Sequence, residues 1–488
     1  MPNPPSKMAG DSSIFHIFTK KHEVVLFSST VITLYEDDQG TSGLCHIIHM
    51  FDHANIKKSP IIGIIVSAYY LGCAVGAVIA SWLADKEGRK PSIFTCLITT
   101  SLGNILMFIS GLSMHGFSPW KGRALACMLT GRVALGLGYS SELSSDGARG
   151  RALAQEFQMN IFGLLIAYGI SLGVTRGLKE SRWAWRIPIM VMQLFPILLV
   201  SFISRLPESP RYFMSKEQKY EAQKALEEVW SKKDANGSQF HPSMVTVMGQ
   251  INQAFTGCGA VSVYGPQIFQ LLGFDTWEAE YLTLGNYILY SLMMASAWLS
   301  MNIVGRRKLM VWGAAGLAIC FAILTGFGGI AQGLPDVPDL AVEIPGSVTL
   351  FVATTTFCIG WLATVWLIPT EIYSSTARAQ GSAISGIIWG LANFAITLLT
   401  PIGFNSLKYW LFLVFAVTNI FAGWWTWKYT PESGGRSFEE SQEFFNSAKE
   451  DGSWSVKRVD GGKFEKMPGD NNEEEEDCEQ LPLLRQKR

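Results

Sequence analysis

Charge is scarce in this chain of 488 residues: Asp, Glu, Lys and Arg together make up 16%. An ordinary soluble domain carries about 25%, so a large water-facing surface is not what the composition describes. With a formal net charge of −1, no basic face is available for nucleic acid. The eight cysteines (Cys45, Cys73, Cys96, Cys127, Cys258, Cys320, Cys358 and Cys478) are scattered. They form no CxxC and no Cys/His spacing, which excludes a disulfide framework and a zinc site. No GxxxxGK[ST] phosphate loop occurs, so ATP-driven pumping is not expected. Nor does any hydrolase motif, and no enzyme activity, cofactor or metal is expected. The opening MPNPPSKMAGDSSIFHIF has no signal-peptide pattern, so the first apolar run is expected to act as its own insertion signal.

What the chain has is apolar length: 48% hydrophobic residues, 12% aromatic and a mean hydropathy of +0.22. A bilayer span needs roughly 20 mostly apolar residues. Twelve such runs are expected, centred on Val31, Val75, Ile105, Gly131, Ile166, Leu194, Val261, Met293, Ala318, Ile359, Ala392 and Val417. Glycines recur inside them, as at Gly72, Gly76, Gly163 and Gly169, and small residues allow close helix packing in lipid. Basic residues gather near Lys86–Lys90, Arg149–Arg151, Arg205–Lys233, Arg306–Lys308 and beyond Arg436, whereas the loops near Asp275–Glu280 and Asp336–Glu343 are acidic. Because Lys and Arg stay on the cytoplasmic side, both termini are placed inside. The expected organisation is a cytoplasmic tail over 1–22, a six-helix half over 23–205 and a linker over 206–242. A second six-helix half follows over 243–430, then a cytoplasmic tail over 431–488 whose acidic run Glu473–Asp477 reads as a solvated end.

Three charge patterns occur twice, in the same order. Asp85-x-x-Gly88-Arg89-Lys90 returns as Asn302-x-x-Gly305-Arg306-Arg307, an offset of 217 (85 to 302). Glu142 with Arg149 returns as Glu371 with Arg378, an offset of 229 (142 to 371). Glu208 of Pro-Glu-Ser, with Arg211, returns as Glu432 of Pro-Glu-Ser, with Arg436, an offset of 224 (208 to 432). An ordered set at nearly one spacing marks a duplicated half of about six helices. Each patch puts arginines and an acid at helix ends, where a lattice of ion pairs can hold one conformation and release another.

These residues resemble a known family. The segments GRK at 88–90, GRVALGLG at 131–138, RGR at 149–151, PESPRYF at 207–213, GRRK at 305–308 and PESGGRS at 431–437 look like the signature of the sugar porters of the major facilitator superfamily. The resemblance runs from about Leu34 to Glu440, and the tail SWSVKRVDGGKFEKMP resembles that of fungal members. It implies an all-α membrane protein with about twelve transmembrane helices in two six-helix halves. It implies a secondary transporter of monosaccharides, coupled to protons, monomeric, multi-pass and in the plasma membrane, whose partners are a small sugar, protons and the lipid bilayer.

The resemblance also implies roles. Asp38-Gln39-Gly40 looks like the first-span GYDQG, with Glu36 and Asp37 in place of Gly and Tyr, and Arg132 matches the fourth-span arginine. Together Asp38 and Arg132 would couple protonation to transport; an ionisable group in a span is costly and usually faces a cavity. For the sugar, amide side chains both donate and accept. The seventh-span QQxTGxNxxxYY is matched by Gln253, Thr256, Gly257 and Tyr264, with Ala254, Gly259 and Val263 departing from it. Gln158 is the expected fifth-span contact and Tyr290 the eighth-span one. Trp366 matches the tenth-span tryptophan, and Trp389 with Asn393 approximates the eleventh-span NWxxNF. Cytoplasmic gating falls to Asp85, Arg89, Glu142, Arg149, Glu208, Arg211, Arg306, Glu371, Arg378 and Glu432. The fourth apolar run looks short, about 15 residues ending at Tyr139, as if the family helix were truncated and transport impaired. Thinning of the amide set leaves room for another polar solute, such as a quinate-like hydroxy acid. A transporter-like sugar sensor is the reading from a different class.

Overall fold

The structure, a computed structural model, describes residues 59–110, 120–139, 151–178, 183, 186–203, 240–333, 339–373, 378–434 and 445. All its described secondary elements are helical. The first group comprises α1 (Ser59–Glu87), α2 (Arg89–Ser110), α3 (Trp120–Tyr139), α4 (Arg151–Leu178) and α5 (Arg186–Ile203). The second begins with α6 (Phe240–Phe255), α7 (Cys258–Val263), α8 (Gly265–Leu271) and α9 (Thr276–Val304). It continues through α10 (Arg306–Gly333), α11 (Asp339–Phe357), α12 (Ala363–Ile372), α13 (Arg378–Ser406) and α14 (Trp410–Tyr429). A π-helical turn at Cys358–Leu362 welds α11 to α12, so the pair makes one span.

Eleven of the twelve expected span centres fall inside these helices; the first, at Val31, lies outside the described residues. Among the described residues, seven stretches have both the length and the hydropathy to cross a bilayer, including Ile61–Leu83, Phe157–Leu178 and Ala341–Ile372. Two helices have shorter apolar cores, Leu125–Gly138 and Arg186–Ser201. The fourth apolar run is as short as expected, Leu125–Gly138, although the helix that carries it is longer. Helix α3 starts at Trp120, before its apolar core, and its 20 residues reach about 30 Å at 1.5 Å each. Lys121 and Arg123 in its first turn hid that start from a hydropathy reading.

The repeat reappears as architecture. Shifting Ser59–Glu87 by 217 residues lands on Thr276–Val304, helix α9. The two groups meet along two seams, α1 on α13 and α4 on α9. Since α9 repeats α1, and α13 stands to the second half as α4 stands to the first, the seams are copies of each other. That exchange is what a twofold relation between halves requires.

Surface and interior are inverted relative to a soluble protein. Ile303, Leu292 and Ile420 are at least 63% exposed, while Gln250, Asn252, Asn286 and Asn419 are at most 3% exposed. Outward apolar faces suit lipid, and inward amides suit a polar passage. Within the first half, the GRVALGLG glycines bring α3 onto α1 and α2. A Cβ at Gly136 would sit 2.1 Å from the Tyr69 carbonyl oxygen, and one at Gly72 would sit 2.3 Å from that of Val133. Only glycine permits so close an approach, and in lipid such packing is what holds helices together.

Candidate substrate site between the halves

The site begins with a broken helix. Between α6 and α7, Gly257 adopts φ +83, and a Cβ there would lie 2.6 Å from the Phe415 ring. A break in the membrane interior frees main-chain carbonyls that must find partners. Two neighbouring side chains of α14 supply them: Thr418 Oγ1 donates to Phe255 O at 2.7 Å, and Asn419 Nδ2 donates to Thr256 O at 3.0 Å. Thr256 itself donates to Gln253 O at 2.7 Å. A second interruption falls at Tyr264, between α7 and α8, where the phenol donates to Thr397 O of α13 at 2.8 Å. The Tyr264 ring packs against Val66 of α1 and edge-on to Phe404.

Beside this broken span lies a pocket lined from both halves. The first half lines it with Tyr70, Phe157, Asn160, Ile161 and Leu164. The second half contributes Gln253, Gly259, Ser262, Tyr290, Trp366, Trp389 and Asn393, with Ala254, Phe357 and Leu362. No charged side chain of the described residues is among the lining. Four aromatic rings run across it from half to half. Phe157 sits 6.2 Å from Trp366, Trp366 lies 5.8 Å edge-on to Trp389, and Trp389 lies 5.5 Å edge-on to Tyr70. Such rings offer flat apolar faces between polar groups.

The amides are held in fixed senses. Gln253 Nε2 donates to Leu362 O at 3.2 Å, at the π-helical turn, where the ordinary ladder is interrupted. Asn393 Nδ2 donates to Trp389 O at 2.9 Å. A carbonyl can only accept, so each nitrogen must face its carbonyl and each amide oxygen must face the other way. At Gly259 the missing side chain is functional space: a Cβ there would come within 3.2 Å of Asn393 Oδ1. Asn393 thus fills the place that an amide at 259 would take.

The expected site residues divide accordingly. Gln253, Tyr290, Trp366, Trp389 and Asn393 come together around the cavity. Thr256, Gly257 and Tyr264 lie outside its lining and shape the interruptions of the span. Gln158 is turned onto the α4–α9 seam, where its Nε2 donates to Ser291 O at 2.9 Å. Arg132 is 2% exposed and its Nε donates to Ile65 O of α1 at 2.9 Å. Asp38 lies outside the described residues, as do Glu142, Arg149, Glu208 and Arg211. For Asp85, Arg89 and Arg378 the structure describes only the backbone, which is helical.

The described part of the charge lattice ties together helices of the second half. Arg306 Nη2 meets Glu371 Oε1 at 3.0 Å. Ser433 donates to Glu371 Oε2 at 2.5 Å. Glu432 accepts the main-chain N–H of Arg306 at 2.8 Å and of Arg307 at 3.1 Å. A carboxylate at the first N–H groups of α10 is stabilised by the helix dipole. Gly305, at φ +93, gives the carboxylate its approach. In the second half, the Gly-Arg and Pro-Glu-Ser patterns are therefore two sides of one contact.

Residues 35–445 match the family described as "Sugar (and other) transporter". The chain belongs to that family. Its relatives include the sugar transporter STL1 of Saccharomyces cerevisiae, 29% identical over 453 residues and covering 83% of this chain and 75% of the relative. The low-affinity glucose transporter of Kluyveromyces lactis is 25% identical over 425 residues, covering 79% and 73%. The fold is that of the major facilitator proton:xylose symporter XylE. That structure superposes with a TM-score of 0.72 at 19% identity, covering 88% of this chain and 99% of that one. Within this sugar transporter family fold, sequence reasoning missed Asn160, Tyr70 and Ser262. Phe157, Asn160, Ile161 and Leu164 lie at i, i+3, i+4 and i+7, one face of a helix. That spacing was a readable signal, and it leaves Gln158 roughly a quarter-turn aside.

Proposed function

We propose that this chain is a secondary transporter that carries a monosaccharide, chemically unchanged, across the membrane by alternating access, in symport with protons. The observation that carries the reading is the cavity between two repeat-related halves, whose described lining holds amides and tryptophans and no charged side chain. A lining of this kind suits a solute with many hydroxyls and apolar C–H faces. Membership of the sugar transporter family supports it, and XylE, named as a proton:xylose symporter, has the same fold.

In this reading Gln253, Asn393 and Tyr290 bind hydroxyls, and Trp366 and Trp389 pack against the ring. Asp38 takes up the proton and pairs with Arg132 in one half of the cycle. The Arg306–Glu371–Glu432 lattice holds the cytoplasmic ends of the second half together, and its counterpart does so in the first. Both termini are cytoplasmic, the membrane is the plasma membrane, and the monomer suffices. Expression in a yeast lacking hexose transporters tests the reading. Uptake of a labelled monosaccharide above the empty vector is expected, and signalling without uptake would favour a sensor instead. For the coupling, Asp38→Asn is expected to abolish pH-dependent accumulation.

A further inference from the structure

The outer edge where α10 meets α14 differs from its repeat. Arg307 of α10 donates to the Trp427 carbonyl of α14. One turn further in, a Cβ at Gly423 would lie 3.9 Å from the Val311 carbonyl oxygen. These contacts set the two helices level with each other. Lys308 and Trp312, one residue past each contact on α10, therefore stand beside Lys428, Trp427 and Trp424 on α14. The three rings face outward: Trp312 is 73%, Trp427 60% and Trp424 45% exposed. Lys428 Nζ sits 5.3 Å over the Trp424 ring and 5.2 Å over that of Tyr429, a contact that leaves its N–H groups able to donate. Lys308 is exposed, and neither lysine pairs with a carboxylate among the described residues. Glu432, the acid of the adjoining Pro-Glu-Ser, is turned to the main-chain N–H groups of Arg306 and Arg307.

Tryptophans at bilayer interfaces are common, and the repeat separates what the fold requires from what this edge adds. Helices α2 and α5 are the first-half counterparts of α10 and α14. At offsets of 217 and 224 their first residues, Arg89 and Arg186, fall on Arg306 and Trp410, where α10 and α14 begin. At the same offsets Lys308, Trp312, Trp424, Trp427 and Lys428 correspond to Pro91, Thr95, Val200, Ile203 and Ser204. The first half has the helix pair and none of these cations or rings.

We infer that the α10–α14 edge binds an anionic phospholipid, its head group held by Arg307, Lys308 and Lys428 and its glycerol backbone lying against the three tryptophans. A choline head group would bring a cation toward three cations, whereas a net negative one complements them. In the orientation proposed above this end of the helices faces the cytoplasmic leaflet, where anionic lipids concentrate. The inference rests on that orientation and not on the identity of the solute.

The test is native mass spectrometry of the purified full chain in detergent, titrated with phosphatidylserine or with phosphatidylcholine of the same acyl chains. Wild type is expected to bind one phosphatidylserine about tenfold more tightly than phosphatidylcholine. Each cation beside a membrane surface changes affinity about fivefold. Lys308→Gln and Lys428→Gln should each weaken phosphatidylserine by about that factor, and together roughly 25-fold, while phosphatidylcholine stays within about twofold. Lys86→Gln controls for charge alone: it removes a lysine lying 4.7 Å over the Trp82 ring at the end of α1, and should change neither lipid by more than about twofold. Equal binding of the two lipids by wild type, undiminished phosphatidylserine binding in the double variant, or an equal loss in Lys86→Gln overturns the inference. Binding is read without sugar or a proton gradient, so each of those results leaves the transport reading standing. Failure of wild type to take up any monosaccharide, with phosphatidylserine still preferred, would overturn transport and leave the lipid site.

Discussion

Arg176 Nη2 lies 2.8 Å from Glu280 Oε2, joining α4 to α9 across the two halves. The guanidinium also sits 5.5 Å over the Tyr281 ring, and Tyr168 of α4 donates to Glu280 O. The contact lies at the end of the seam opposite the charge lattice of Arg306. With the arginine side chain 43% exposed, solvent screens the pair, and it is worth about 1 kcal/mol at most. That is still up to a fivefold shift in a two-state equilibrium. Arg176→Ala is expected to speed labelling of a cysteine introduced beside the cavity from that side by up to about fivefold. The exchange Arg176→Glu with Glu280→Arg should restore the slower rate. Labelling unchanged in the single variant would remove the pair from gating.

The caps on the broken span make a second prediction. Asn419 is fully buried and Nδ2 serves both Thr256 O and Phe415 O. Asn419→Leu leaves Thr256 O without this donor in an interior without bulk water, which costs about 1–3 kcal/mol. A lower melting temperature in detergent is expected, along with weaker substrate affinity, since Gln253 precedes the break by only a turn. Unaltered melting would mean the break is satisfied some other way.

Close packing gives a third. Gly136→Ala drives a methyl to 2.1 Å from the Tyr69 carbonyl, whereas a Cβ at Gly169 meets nothing within 4 Å. Overpacking costs about 1–3 kcal/mol. Gly136→Ala should lower the melting temperature markedly, and Gly169→Ala should leave it unchanged. Equal effects would argue against the packing role of the GRVALGLG glycines.

The lattice gives a fourth. Arg306 and Glu371 are 11% and 13% exposed at the side chain, and removing one partner from a largely buried pair costs roughly 3 kcal/mol. Glu371→Gln keeps the shape and loses the charge, so it should destabilise the second half, measurable as lower thermal stability. Arg306→Lys, which loses the fork reaching Glu371 and the Met301 carbonyl, should be intermediate. Wild-type stability in both would make the lattice ornamental to folding.

Helices and repeat were legible because the bilayer imposes length and hydropathy directly on the chain. Gln253, Trp366, Trp389 and Asn393 were legible as motif residues. Gln158 against Asn160 was not, because two positions along a helix differ by about 200° around it and a motif does not say which face is buried. The partners of the break, Thr418 and Asn419, stand 163 residues from Phe255 and Thr256, and no local pattern links them. Gly259 looked like a lost contact; only the approach of Asn393 to that position explains it.

Uptake into liposomes under an imposed proton gradient bears most directly on the whole picture. Wild-type protein is expected to concentrate a labelled neutral monosaccharide when the outside is acidic, and Trp366→Ala, stripped of its cavity ring, to do so at least tenfold less well. Equal accumulation by Trp366→Ala, or uptake of no neutral sugar by wild type, would contradict it.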